Sequence, residues 1–304
     1  DALGMPVEGL SHANVRTYYK GIKEYRDDDQ RGDLGAGQWT DDTQMTFALV
    51  RALTDHPASP DAWPAAVADE YVALRPEARR WGETTTTAVD RLADGTPPAE
   101  AGVPDRPTDG AAMRAAPLGV WWAARDLDRE AAFEAIRPVL AVTHRHPAAL
   151  AAGWGQAVAV HTLLGWTPDA FDRAAFWERL VDATAWAEGR LDGDDRVSGR
   201  LEALADHLDA FPLNLGDACD GVGIRADEAW PFACAMVARR AHLLENTLLS
   251  GINVGGDADT TGAMMGAMLG ALHGWSAFPD EWGEGLEAFD RLEAEARALA
   301  GALS

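Results

Sequence analysis

Residues 255–274 read Gly-Gly-Asp-Ala-Asp-Thr-Thr-Gly-Ala-Met-Met-Gly-Ala-Met-Leu-Gly-Ala-Leu-His-Gly. The opening is a turn in which two glycines let the backbone bend before the carboxylates of Asp257 and Asp259 and the hydroxyls of Thr260 and Thr261. The remainder of the stretch has the character of a helix, expected over 257–274. Gly262, Gly266, Gly270 and Gly274 recur every fourth residue beside Ala263, Ala267 and Ala271, so one helix face is almost bare. Each interior glycine costs about 1 kcal/mol relative to alanine. Close packing by another helix, or access for a ligand, has to compensate, and packing is the simpler expectation.

Working outward, the same period dominates the chain. From Thr43, Met45, Leu49 and Ala52 share one stripe, with Phe47, Val50 and Leu53 beside it. Further helices are expected over 61–74, 110–124, 129–142, 147–164, 170–188, 227–244 and 279–303, with Pro147 in a first turn and Asp169 and Asp280 as cap or first-turn acids. Alternating strand-type runs are nearly absent. The expectation is therefore all-α: a compact orthogonal helical bundle, with residues 1–304 as one domain. Residues 94–107, rich in Pro and Gly, read as a surface excursion, the acidic run 27–29 as a solvated loop able to cover a cleft, and 192–195 as a tight polar turn.

Composition narrows the function. Lys and Arg number 26 against 49 Asp and Glu, a formal net charge of −23. Such a surface repels phosphate backbones and anionic lipid, so nucleic-acid and membrane partners are not expected. Two cysteines, Cys219 and Cys234, build neither a disulfide framework nor a tetrahedral zinc site. No basic stretch followed by an apolar run opens the sequence, and the uncharged stretch 260–276 is short of the roughly 20 residues that span a bilayer. A cytoplasmic protein is expected, and the helices suffice for a monomer.

A second acidic cluster, Trp39-Thr40-Asp41-Asp42-Thr43, stands at the start of the helix that runs on from Thr43. Alone it reads as a cap with first-turn acids. Paired with Asp257, Asp259 and Thr260 it becomes a set of carboxylate and hydroxyl oxygens without His or Cys, suited to magnesium, manganese or calcium rather than zinc. The ligand spacing of an EF-hand loop is missing. If the two turns converge, four carboxylates need one or two divalent cations between them.

These clusters occur within a longer series of motifs. Residues 1–8, Asp-Ala-Leu-Gly-Met-Pro-Val-Glu, and 39–45, Trp-Thr-Asp-Asp-Thr-Gln-Met, are followed by 109–119, Asp-Gly-Ala-Ala-Met-Arg-Ala-Ala-Pro-Leu-Gly. Then come Thr143-His144 with Pro147, and residues 255–263. In this order they resemble the ADP-ribosylglycohydrolase family, which includes the dinitrogenase-reductase-activating glycohydrolases and the ADP-ribosyl-acceptor hydrolases. The resemblance spans nearly the whole chain. It implies a hydrolase that cleaves the glycosidic bond between ADP-ribose and an acceptor, such as an arginine or serine side chain of a protein or a small molecule.

By the same resemblance, Thr40, Asp41, Asp42, Asp257, Asp259 and Thr260 surround two divalent cations, Mg or Mn, and Glu8, Asp41 and Asp259 are the catalytic candidates. Glu8 corresponds to an acid implicated in catalysis or in gating the metals. Gly82, Thr84 and Thr85 approach the diphosphate, while Asp109, Gly110, Met113, Arg114 and His144 line the ADP-ribose cleft, Arg114 being the cation expected to neutralise phosphate. Trp39 and Trp81 are the aromatic candidates for a cleft wall. Two departures stand out: Arg80 replaces an Asp that some members carry two positions before the Gly of that loop, and Asp109 replaces a common Asn. The acceptor end of the pocket is where this chain differs. Alternatives are another ribosyl or nucleoside N-glycoside as substrate, or a non-catalytic relative that binds ADP-ribose.

Overall fold

The structure, a computed structural model, describes residues 1–194 and 196–304; Asp195, part of the turn expected at 192–195, lies outside the described residues. The helices that bear on the site are α1 (Asp41–Asp55), α2 (Glu83–Ala93), α3 (Ala116–Ala123), α4 (Pro147–Leu164), α5 (Ala226–Arg240), α6 (Leu244–Ile252), α7 (Ala258–His273) and α8 (Phe289–Leu303). Among the described residues there are only isolated bridges, Ser11–Gly255, Val103–His144 and Thr108–Arg225, and no strand. The fold is an all-α bundle, as the periodicity predicts. No helix of the described residues is long and apolar enough to cross a membrane.

The centre of the bundle is α4. It is hydrophobic all round, and residues 148–160 are all buried, which is the pattern of a helix enclosed by others. Its neighbours include α3, α5, α7 and the helix Arg173–Arg190. Small residues permit this crowding: a Cβ on Gly155 would sit 2.5 Å from the Trp230 ring, and one on Gly119 would sit 2.5 Å from the Ala157 carbonyl. Gln156 ties the layers together, donating to the Met264 carbonyl at 3.1 Å and accepting from Trp230 Nε1 at 2.9 Å. A single apolar cluster continues from Leu3 to Leu303.

Several expectations need correction. The bare face of α7 packs on a helix only at its start: a Cβ on Gly262 would lie 3.1 Å from Ile252 of α6, whereas one on Gly266 meets nothing within 4 Å and one on Gly270 meets only the Phe278 ring at 3.8 Å. That face lines an apolar cavity of about 450 Å³ shared with Thr46 and Phe47 of α1. The helix expected over 110–124 begins only at Ala116, with Pro117 in its first turn and a 3₁₀ turn at Asp109–Ala111 before it. Asp172, not Asp169, caps the next expected helix, accepting from the Ala175 N–H at 3.0 Å. The helix expected over 279–303 breaks at Ala288, which is left-handed (φ +56°), and the break allows the Glu287 N–H to reach the Gly37 carbonyl at 3.0 Å. Residues 94–107 are not wholly superficial, because Val103 is buried and exchanges backbone bonds with Thr143 and Arg145. The four-threonine run of α2 is not legible as a helix from sequence. Its β-branched residues have poor helix propensity, and burial of Thr84 and Thr85 overrides it.

Candidate functional site

At the start of α1, Thr40 takes extended backbone, the usual conformation before a first turn, but the capping group comes from far away in sequence. The Asp1 carboxylate accepts from the Thr40 N–H at 3.1 Å, the Thr43 N–H at 3.0 Å and the Thr43 hydroxyl at 2.6 Å. With the orphan donors met by Asp1, the carboxylates of Asp41 and Asp42 are not consumed as caps. In the sequence Asp1 is only the first residue of a motif, and spacing gives no sign of this duty.

The second cluster is clamped on both sides. The Gly256 N–H donates to the Leu10 carbonyl at 2.8 Å, the Gly9 N–H to the Gly256 carbonyl at 2.7 Å, and the Asp257 N–H to the Val222 carbonyl at 2.8 Å. Gly255 and Gly256 are left-handed (φ +86° and +72°), and a Cβ on Gly256 would collide with the Val222 carbonyl oxygen. Val222 itself is a buried β-branched residue at φ +59°, a strained conformation held by these contacts.

The two turns converge. The Thr40 hydroxyl lies 3.2 Å from both Asp42 Oδ2 and Asp259 Oδ2, and the Thr260 hydroxyl lies 3.3 Å from Asp42 Oδ2. Asp1, Asp42 and Asp259 each bring a carboxylate oxygen within 4.8 Å of the others. Burial, reinforced by neighbouring acids, pushes Asp41, Asp42, Asp257 and Asp259 well above the usual carboxylate range. Asp109, assigned by resemblance to the substrate set, is buried against Asp257 and is raised in the same way. Four buried carboxyls and the part-buried Asp41, with so little counter-charge, cannot all ionise. Asp42 Oδ1, Asp109 Oδ2 and Asp259 Oδ1 have no hydrogen-bond partner. Hard oxygen donors, unpartnered and facing one another, fit a divalent cation.

Beside this cluster opens a cleft of about 240 Å³. Its lining brings together Glu8, Asp41, Asp257, Asp259 and Thr260 with Gly82, Thr84 and Thr85 of the start of α2, and with Asp109, Gly110, Met113 and His144. Thr40 and Asp42 lie beneath it, buried. Arg80, singled out in the sequence as a departure at the acceptor end, also lines the cleft, together with Ile224, Arg106, Glu83 and Thr108, which sequence reasoning did not place there.

Arg114 requires a correction. It is fully buried and lies outside the cleft lining, donating to the Gly110 carbonyl at 2.6 Å, the Leu140 carbonyl at 3.3 Å and the Thr143 hydroxyl at 2.6 Å. Its guanidinium therefore shapes the cleft wall from behind rather than meeting phosphate. Because the Thr143 hydroxyl accepts from Arg114, its own proton is left for His144 Nδ1 at 2.7 Å. Burial and the charge of Arg114 push His144 well below its ordinary pKa, so the ring is neutral, with Nδ1 turned to Thr143 and Nε2 beside Gly110. Trp39 and Trp81 are not cleft walls either: Trp39 lies under the Arg79 guanidinium and donates to the Glu287 carbonyl, and Trp81 donates to Gln44.

At the cleft edge Glu8 is held by two arginines. Arg31 grips it with Nη1 and Nη2, and Arg80 Nη1 donates to Oε2 at 3.0 Å. Asp28, expected in a solvated loop, is instead buried: it pairs with Arg80 at 2.5 Å and accepts from the backbone N–H groups of Gln30 and Arg31.

A family model described as ADP-ribosylglycohydrolase matches residues 1–304. An uncharacterized protein of Archaeoglobus fulgidus is 30% identical over 98% of this chain and 92% of its own length. The mouse protein named ADP-ribosylhydrolase ARH3 is 28% identical over 86% of this chain and 76% of its own. A solved chain titled "ADP-ribosylglycohydrolase-related protein complex" superposes with a TM-score of 0.77 at 26% identity, covering 100% of this chain and 94% of that one.

Proposed function

The chain belongs to the ADP-ribosylglycohydrolase family, and from that premise we propose that it is a metal-dependent hydrolase releasing ADP-ribose from an acceptor on a modified protein or small molecule. The observation that carries the metal dependence is the group of buried carboxyls with unpartnered oxygens, Asp109 and Asp259 in the cleft lining and Asp42 behind it. Thr40, Asp41, Asp42, Asp257, Asp259 and Thr260 hold two divalent cations, magnesium or manganese. When bound, these ions supply positive charge and Lewis acidity beside the scissile bond. The continuous core from Leu3 to Leu303 supports one domain, and a monomer is the working unit we propose.

The chain's own groups divide the remaining work. The N–H groups opening α2 and the threonine hydroxyls of Thr84 and Thr85 suit the diphosphate, and Arg106 replaces Arg114 as the rim cation for it. His144, neutral and with Nε2 beside Gly110, hydrogen-bonds the substrate. Glu8, Asp41 and Asp259 are the carboxyls near enough to the metal-holding oxygens to move a proton as the bond between the anomeric carbon and the acceptor breaks. The test is release of ADP-ribose from modified proteins by metal-stripped enzyme with and without added Mn or Mg. Full turnover in excess chelator refutes the proposal.

A further inference from the structure

Arg80 is the one cleft residue whose backbone and side chain both resist their surroundings. It is left-handed (φ +57°), a conformation glycine adopts freely and arginine does not. Its side chain is only 8% exposed and nearly saturated: Nε donates to Asp33 at 3.0 Å, Nη1 to the Met5 carbonyl at 3.1 Å and to Glu8 at 3.0 Å, and Nη2 to Asp28 at 2.5 Å. The guanidinium cannot swing away, and its charge is matched by Asp28 and Asp33 behind it, so what it fixes at the cleft edge is the Glu8 carboxylate. Arg31 closes the other side of the same carboxylate.

Resting on the reading that this cleft hydrolyses ADP-ribosyl bonds, we propose that Arg80, with Arg31, determines acceptor specificity and selects an uncharged, oxygen-linked leaving group over a guanidinium-linked one. Hydrolysis adds the hydroxyl of water to the anomeric carbon, breaks the bond from that carbon to the acceptor, and places the remaining proton on the departing oxygen or nitrogen. A guanidinium leaving group is cationic and needs an available carboxylate. Among the other cleft-lining carboxyls, Asp41, Asp257 and Asp259 belong to the proposed cation set, Asp109 is buried against Asp257, and Glu83 pairs with Arg106 at the rim. Glu8 already carries two guanidinium partners from the chain itself. An incoming guanidinium therefore finds its carboxylate seat already filled by Arg31 and Arg80. A serine or other alcohol acceptor does not need that seat.

The test compares kcat/KM for one peptide carrying ADP-ribose on serine or on arginine. The wild type is expected to favour the serine-linked form by at least tenfold. Arg80→Gly suits the left-handed backbone and removes the charge, and it is expected to shift the ratio at least tenfold toward the arginine-linked form. Arg80→Lys retains the preference. Arg31→Ala, at a half-exposed position, shifts it by a smaller factor and gives the same answer should the glycine variant fold poorly. Hydrolysis that persists with an unchanged ratio in both charge-removing variants, or a wild type that prefers arginine-linked substrate, overturns this assignment while leaving the proposed activity standing. Release of ADP-ribose from neither substrate overturns both.

Discussion

Proton competition for the buried carboxyls gives a quantitative test of the cation site. Asp41, Asp42, Asp109, Asp257 and Asp259 all have folded-state pKa values above those of the unfolded chain, because burial and mutual repulsion disfavour their charged forms. For acids shifted upward, the stability contribution is fully present below the unfolded pKa and is lost as pH rises through the folded values. Metal-free protein should therefore weaken with rising pH, and an added cation must displace the protons that remain. If one proton leaves per cation bound, apparent affinity rises tenfold per pH unit. From pH 5.5 to 7.5 that is about 2.7 kcal/mol, the metal-free site keeping its proton across the interval. With about 2.1 cal/mol/K of unfolding entropy per residue, a chain of 304 residues gains roughly 4 °C in cation-induced Tm shift over that interval. Thermal melts with graded manganese at both pH values measure the shift. Calorimetry in buffers of different ionisation enthalpy counts the protons. A pH-independent cation response with no proton release refutes the reasoning.

Four further outcomes are set by the geometry. Asp259→Ala removes one member of a repelling group, so metal-free protein should melt no lower than wild type, while the manganese-induced shift and ADP-ribose release disappear. Gly256→Ala forces a side chain at φ +72° into the Val222 carbonyl, and urea titration should show a loss of about 2 kcal/mol or more. Gly266→Ala is the opposite case: its Cβ meets nothing, and the same titration should show a gain of up to about 1 kcal/mol. Finally, Cys219 and Cys234 are buried thiols whose pKa values are pushed up by burial, that of Cys219 to about 12. Neither should react with a thiol reagent at pH 8 until denaturant is added.

The division between legible and illegible features is physical. The two acidic turns and the residues that line the cleft with them are encoded locally, by oxygen-rich side chains at short spacing next to glycines, and α4 announces its burial by being apolar on every face. The misreadings concern side chains whose role depends on partners remote in sequence. Arg114 sits in a motif that approaches the ligand, yet its length carries the charge away from the cleft to Thr143 and Leu140. Asp28 looks like one of three solvated acids until Arg80, 52 residues later, buries it. The glycines of α7 suggest close packing, but whether a bare face meets a helix or a cavity depends on what lies opposite. Asp1 capping α1 and Val222 holding Asp257 are likewise contacts between segments, invisible to periodicity.

The Thr260–Asp42 contact joins positions 218 residues apart, and this sets a timetable for the newborn polypeptide. At about 5–20 residues per second of synthesis, Asp42 emerges from the ribosome roughly 10–40 s before its partner exists. During that interval the two acidic turns cannot meet, so any ion held between them would have no complete seat until residue 260 has been made.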